Sequence, residues 1–94
     1  MLQYIVTDID GWQVNPNSFE DALERISPDF KVGDTQNVGS TIMKAYVFYE
    51  NNDLIARMDV SYRQNGTAVL LSGERSEEVI SELIDITKFE WEQK

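Results

Sequence analysis

Residues 41–72 carry the pattern that most restricts how this chain can fold. Three runs rich in β-branched and aromatic residues, 41–50, 54–63 and 67–72, are separated by Asn51-Asn52-Asp53 and by Asn65-Gly66. Asparagine and glycine tolerate the positive φ that tight hairpins require, so the runs read as antiparallel strands. Successive side chains of a strand point to opposite faces, and the register decides which residues share one. With Asn65-Gly66 as a two-residue turn, Tyr62 pairs with Val69 and Val60 with Leu71. Across the other turn, Met43, Ala45, Val47 and Tyr49 share a face with Leu54, Ala56, Met58 and Val60, which makes that side the expected core. The outer face would then carry Ile42, Lys44, Tyr46, Phe48, Ile55, Arg57, Asp59, Arg63 and Leu70.

A helix is expected on each side of these strands. Phe19, Ala22, Leu23 and Ile26 follow Ser18 at helical spacing, with Ser18 as the N-cap and Ser27-Pro28 as the stop. Ser76 opens a second stripe of Val79, Ile80, Leu83, Ile84 and Ile86, which predicts a helix to about residue 86. The segment 87–94 alternates like a strand and equally continues a helix, so its state stays open.

Ahead of the first helix, Leu2, Tyr4 and Val6 alternate with Gln3, Ile5, Thr7 and Ile9, and Asp10-Gly11 predicts a hairpin returning through Trp12, Gln13 and Val14. Residues 27–40 read as a long loop holding at most a scrap of strand at Phe30 and Val32. The expected fold is one acidic α+β domain spanning residues 1–94, of order ββαβββα, with a three-stranded sheet and the C-terminal helix on one of its faces.

Composition narrows the chemistry. Seventeen acids against eight bases, with no histidine, give a formal charge of −9. That field disfavours direct binding to nucleic acid and to anionic membranes, and favours a basic partner. The chain has no cysteine, so neither disulfides nor thiolate chemistry are available. No apolar run reaches transmembrane length and the first residues lack a signal-peptide pattern, so a cytoplasmic location is expected.

Asp8-Ile9-Asp10-Gly11 after an apolar strand resembles the first motif of haloacid-dehalogenase-like phosphatases, and Val32-Gly33-Asp34-Thr35-Gln36-Asn37 resembles their later acidic motif. That resemblance implies a metal-dependent hydrolase using Asp8 and Asp10. Trp12 stands where the pattern expects threonine, no motif lysine follows, and the chain is too short for that parallel-sheet domain, so the roles are not carried over. The order helix, three strands, helix is similar to double-stranded-RNA-binding domains. Those place basic residues at the start of the second helix, where this chain reads Glu74-Arg75-Ser76-Glu77-Glu78. Neither a catalytic centre nor a metal or cofactor site is expected.

The expected activity is therefore binding: a non-catalytic inhibitor or adaptor docking on a basic partner such as a nucleic-acid enzyme. Anti-CRISPR and anti-restriction proteins have this general appearance and would act by nucleic-acid mimicry. An immunity protein or secretion chaperone for one cognate toxin or effector is the alternative, and a homodimer would occupy one of the faces itself. Two candidate surfaces follow. One is the acidic helical face of Glu20, Asp21, Glu24, Glu78, Glu82 and Asp85; the other is the outer sheet face of Lys44, Tyr46, Phe48, Arg57 and Arg63.

Overall fold

The expected hairpins form the middle of a larger sheet. A computed structural model describes residues 1–94. It contains β1 (Leu2–Thr7), α1 (Pro16–Leu23), β2 (Asp29–Val38), β3 (Thr41–Glu50), β4 (Asp53–Arg63), β5 (Gly66–Ser72), α2 (Ser76–Ile86) and β6 (Glu90–Gln93). The strands make one six-stranded sheet in the order β2-β3-β4-β5-β1-β6, antiparallel throughout. The fold is thus α+β, but the expected three-stranded sheet with a separate N-terminal hairpin is incorrect.

Turn chemistry places the central strands. Glu50 pairs with Asp53, so the first turn is Asn51-Asn52, with φ of 52° and 68°. Arg63 pairs with Gly66, which leaves Gln64-Asn65 as the second loop. Tyr62 therefore pairs with Thr67 and Val60 with Val69, two residues from the expected register. A shift of two preserves the facing, so Val69 and Leu71 still enter the core.

The facing of β3 is reversed from the expectation. Tyr49 lies opposite Leu54 but Phe48 lies opposite Ala56, so Ile55 is an extra residue on β4. Such a bulge moves all the following residues to the other face relative to the partner strand. Tyr46 and Phe48 are consequently buried opposite Met58 and Ala56, while Met43 and Val47 turn outward. Both faces of β3 are apolar, so alternation alone could not choose between them.

The expected loop at 27–40 is mostly strand β2, paired with β3 through Phe30↔Phe48 and, beyond a register shift after Val32, Thr35↔Lys44. It is a sheet edge with nearly every side chain in water, so it lacks the apolar alternation that marks a strand. Only Phe30 packs against the core. The tail resolves as β6, which pairs Trp91 with Val6 and closes the other side of β1.

β1 is an interior strand between β5 and β6, which leaves no free edge for an N-terminal return strand. Its turn is nevertheless well formed. The Asp8 N–H donates to the Trp12 carbonyl, and Asp8 Oδ1 accepts from the N–H groups of Asp10 and Trp12. Gly11 takes φ +82°, and the chain then leaves the sheet through the buried Val14.

Asn15, not Ser18, caps α1: its side chain accepts from the Asn17 N–H, and Pro16 occupies the first turn. Phe19, Ala22, Leu23 and Ile26 are buried as the periodicity predicts. Arg75, not Ser76, is the N-terminal boundary of α2, whose Val79, Ile80 and Leu83 face inward. At its end the Thr87 hydroxyl donates to the Leu83 carbonyl and accepts from Trp91 Nε1, which turns the chain into β6. Both helices pack on the sheet face that carries Tyr46, Phe48, Met58 and Leu71, in one core cluster.

Two substitutions test this packing by urea unfolding. Phe19→Ala is expected to cost roughly 3–5 kcal/mol, because the ring is buried among aromatic neighbours. Thr67 is fully buried and its hydroxyl finds no hydrogen-bond partner, so Thr67→Val is expected to stabilise the fold by about 1 kcal/mol.

Candidate functional site

The helices and the bare side of the sheet define two surfaces of different chemistry. On the helical side, Glu20 is not a free surface acid. It points from α1 toward β3, where Lys44 Nζ lies 2.7 Å and the Tyr46 hydroxyl 2.8 Å from Oε2. The Tyr46 hydroxyl spends its only proton on Glu20, so Tyr62 donates the 2.8 Å bond between the two tyrosines. Burial, the Tyr62 contact and the Glu20 charge all raise the Tyr46 pKa far above the ordinary phenol value. Burial opposes ionisation of Glu20 as well, but the hydrogen bonds from Lys44 and Tyr46 and the Lys44 charge together hold its pKa below the usual carboxylate value.

The other helical acids divide by what they touch. Glu82 accepts the Ser27 N–H and ties α2 to the chain leaving α1. Glu78 pairs with Arg75, which also forks onto Glu50 at the end of β3. Asp21, Glu24 and Asp85 are exposed and make no ion pair, and Glu77 joins them in the first turn of α2. Of the six acids singled out in the sequence, three are therefore structural ties and three are free. Asp21, Arg25 and Lys88 line a shallow depression between α1 and the segment after α2.

The aromatic sheet surface is not where the alternation put it. Tyr46 and Phe48 are fully buried beneath the helices and Lys44 is bound to Glu20, so these three leave the outer face. Arg57 and Arg63 remain there. Met43, Ala45, Val47 and Tyr49 take the vacated places, beside Leu70 of β5 and Ile5 of β1. Cations and carboxylates are interleaved: Arg57 grips Asp59 with three contacts of 2.9–3.2 Å, and Asp34 adds its charge nearby. Lys31 lies 5.3 Å over the Tyr49 ring, and Lys94 pairs with Glu92. Register and alternation also place Asp29 and Glu90 on this side. Two shallow depressions mark the surface. One of about 150 Å³ lies around Asp34, Ala45, Arg57 and Asp59; another of about 320 Å³ lies around Ile5, Ser61, Arg63 and Leu70; Met43 borders both.

No protein-family model, curated protein or solved structure matches this chain. Function therefore rests on the surfaces alone. Asp8 spends one carboxylate oxygen on its own turn, and no group of three or more His, Cys, Asp or Glu side chains is placed to hold a metal ion. No helix is long and apolar enough to cross a membrane.

The outer-face contributions of β2 and β6 were not assigned from the sequence, because 27–40 reads there as a loop with at most a scrap of strand and 87–94 alternates like a strand but equally continues a helix. A signal for Glu20 did exist: it directly follows Phe19 in an amphipathic helix, at the border of the buried stripe. The depressed Glu20 pKa has a defined consequence. A lowered folded-state pKa contributes stability above the unfolded value, and that contribution is lost as pH falls through the folded value. Glu20→Gln is expected to cost about 1–2 kcal/mol at neutral pH, with the difference from wild type shrinking as pH falls below the usual carboxylate range. Urea unfolding of both proteins across that range measures it.

Proposed function

We propose that this protein is a non-catalytic binding protein that docks its helical side on a cationic surface of a partner protein. In its sharpest form it is an inhibitor that occupies the groove where a nucleic-acid enzyme would hold a phosphate backbone. The observation that carries this reading is the distribution of charge. Asp21, Glu77 and Asp85 stand exposed and unpaired on two neighbouring helices, with Glu24 at the C-cap of α1; they outnumber the exposed cations Arg25 and Lys88 of that side, while Arg57, Arg63, Lys31 and Lys94 lie on the sheet side. Free carboxylates on rigid helices present negative charge without the ordering cost of a flexible tail. A cationic groove gains from them by the same electrostatics that it uses for phosphates. Paired acids such as Glu20 and Glu78 contribute less, because their fields are partly cancelled at source.

Affinity capture followed by mass spectrometry, at low and high salt, tests this reading. Basic nucleic-acid-binding proteins are expected at low salt, to be released at high salt and displaced by added nucleic acid. The triple substitution Asp21→Lys, Glu24→Lys, Asp85→Lys is expected to weaken capture at least roughly tenfold, since each reversed charge turns attraction into repulsion. Partners that are acidic or uncharged, held regardless of salt, would contradict it.

A further inference from the structure

Both helices cover the same side of the sheet, and its outer face is left without a layer of its own. An antiparallel sheet can leave one face in water, but such a face is then expected to be mainly polar. Here Met43 is 40% exposed on β3 and borders a depression that holds Ile5, Ala68 and Leu70, with Val47 and Tyr49 farther along its own strand. We propose that this outer face is buried against the same face of a second copy of the chain.

Charge selects that occupant. The chain as a whole carries −9, so two copies repel unless they meet through a surface that is close to neutral. The outer sheet face meets that condition. Lys31, Arg57, Arg63 and Lys94, half of the chain's eight basic residues, nearly balance the carboxylates interleaved with them. A two-fold interface brings one patch against itself, so a surface of mixed sign can be self-complementary whereas a uniformly acidic one cannot. The Arg57–Asp59 pair also satisfies itself within one chain, so covering it leaves no lone buried charge.

Size fits as well. The strands run from four to eleven residues, about 26 Å on average, and six of them span about 24 Å, so the face offers roughly 600–750 Å², near the lower end of what each partner contributes to a standard interface. Face-to-face association would also turn the two acidic helical sides outward.

Light scattering and sedimentation over a concentration series test this directly. Wild type is expected at twice the 10.8 kDa chain mass, with no loss of dimer between about 0.15 M and about 1 M salt, because Met43, Ile5 and Leu70 make apolar contacts and Arg57 is already paired with Asp59 of its own chain. Met43→Glu is expected to give a monomer with unchanged circular dichroism and a thermal midpoint that no longer depends on concentration, whereas Asp85→Lys on the helical side should leave the dimer intact. Oxidation of wild type by peroxide supplies a second measurement that needs no variant. Met43 is expected to oxidise more slowly as concentration rises, with the 84% exposed Met1 as the unprotected reference. A wild-type monomer at every concentration, a dimer that survives Met43→Glu, or a Met43 oxidation rate independent of concentration would each overturn the proposal.

Discussion

Both helices are packed on one side of the sheet, and Phe19 is where that packing comes together. Its ring lies about 6 Å from those of Tyr46, Tyr62, Phe89 and Trp91, so β3, β4, the segment after α2, and β6 all converge on one residue of α1. Helix α1 has only eight residues, too few to be stable alone in water. Tertiary burial therefore holds it, and in return it fixes the last strand through Phe89 and Trp91. Trp91 is secured a second time, through its hydrogen bond to Thr87 and its edge contact with Tyr4.

One-sided packing also sorts the charges. Helical residues that border the sheet can reach polar groups on it, which is how Glu20 meets Lys44 and Tyr46. Residues on the far side of the helices reach no group of the sheet, and Asp21, Glu24 and Asp85 make no ion pair there. The strands present cations and carboxylates in alternate rows on the opposite face. A chain with a large net negative charge thus folds into a molecule with one acidic side and one nearly balanced side. The two sides suit different partners: the first a cationic surface, the second a surface like itself.

Much of the fold was legible locally. The stripes of α1 and α2, the alternation of β1 and the bounds of β3, β4 and β5 follow from side-chain periodicity and from turn residues with positive φ. The failures share a cause. β2 is an edge strand wet on both sides and lacks apolar alternation, while β6 is four residues long and its alternation fits a helix equally well. The candidate surfaces suffered more than the fold, because a surface depends on facing as well as on strand existence. Ile55 alone, inserted opposite Phe48 and Tyr49, moved Tyr46 and Phe48 into the core and Met43 and Val47 out of it.

By itself the sequence determined the two helices, the strands β1, β3, β4 and β5, the acidity and the absence of cysteine and histidine, because these depend only on residue type and short-range spacing. It also placed Asp21 and Asp85 on helices and Glu24 at the end of α1, off the apolar stripes, without separating them from the paired Glu20, Glu78 and Glu82. Only the tertiary structure decided the six-strand order, the facing of β3, the burial of Tyr46 and the pairing of Glu20 with Lys44. Those depend on which distant strand edges meet and on one bulge in their register. With apolar residues on both faces of β3, hydrophobic burial is satisfied locally by either facing, and long-range pairing breaks the tie.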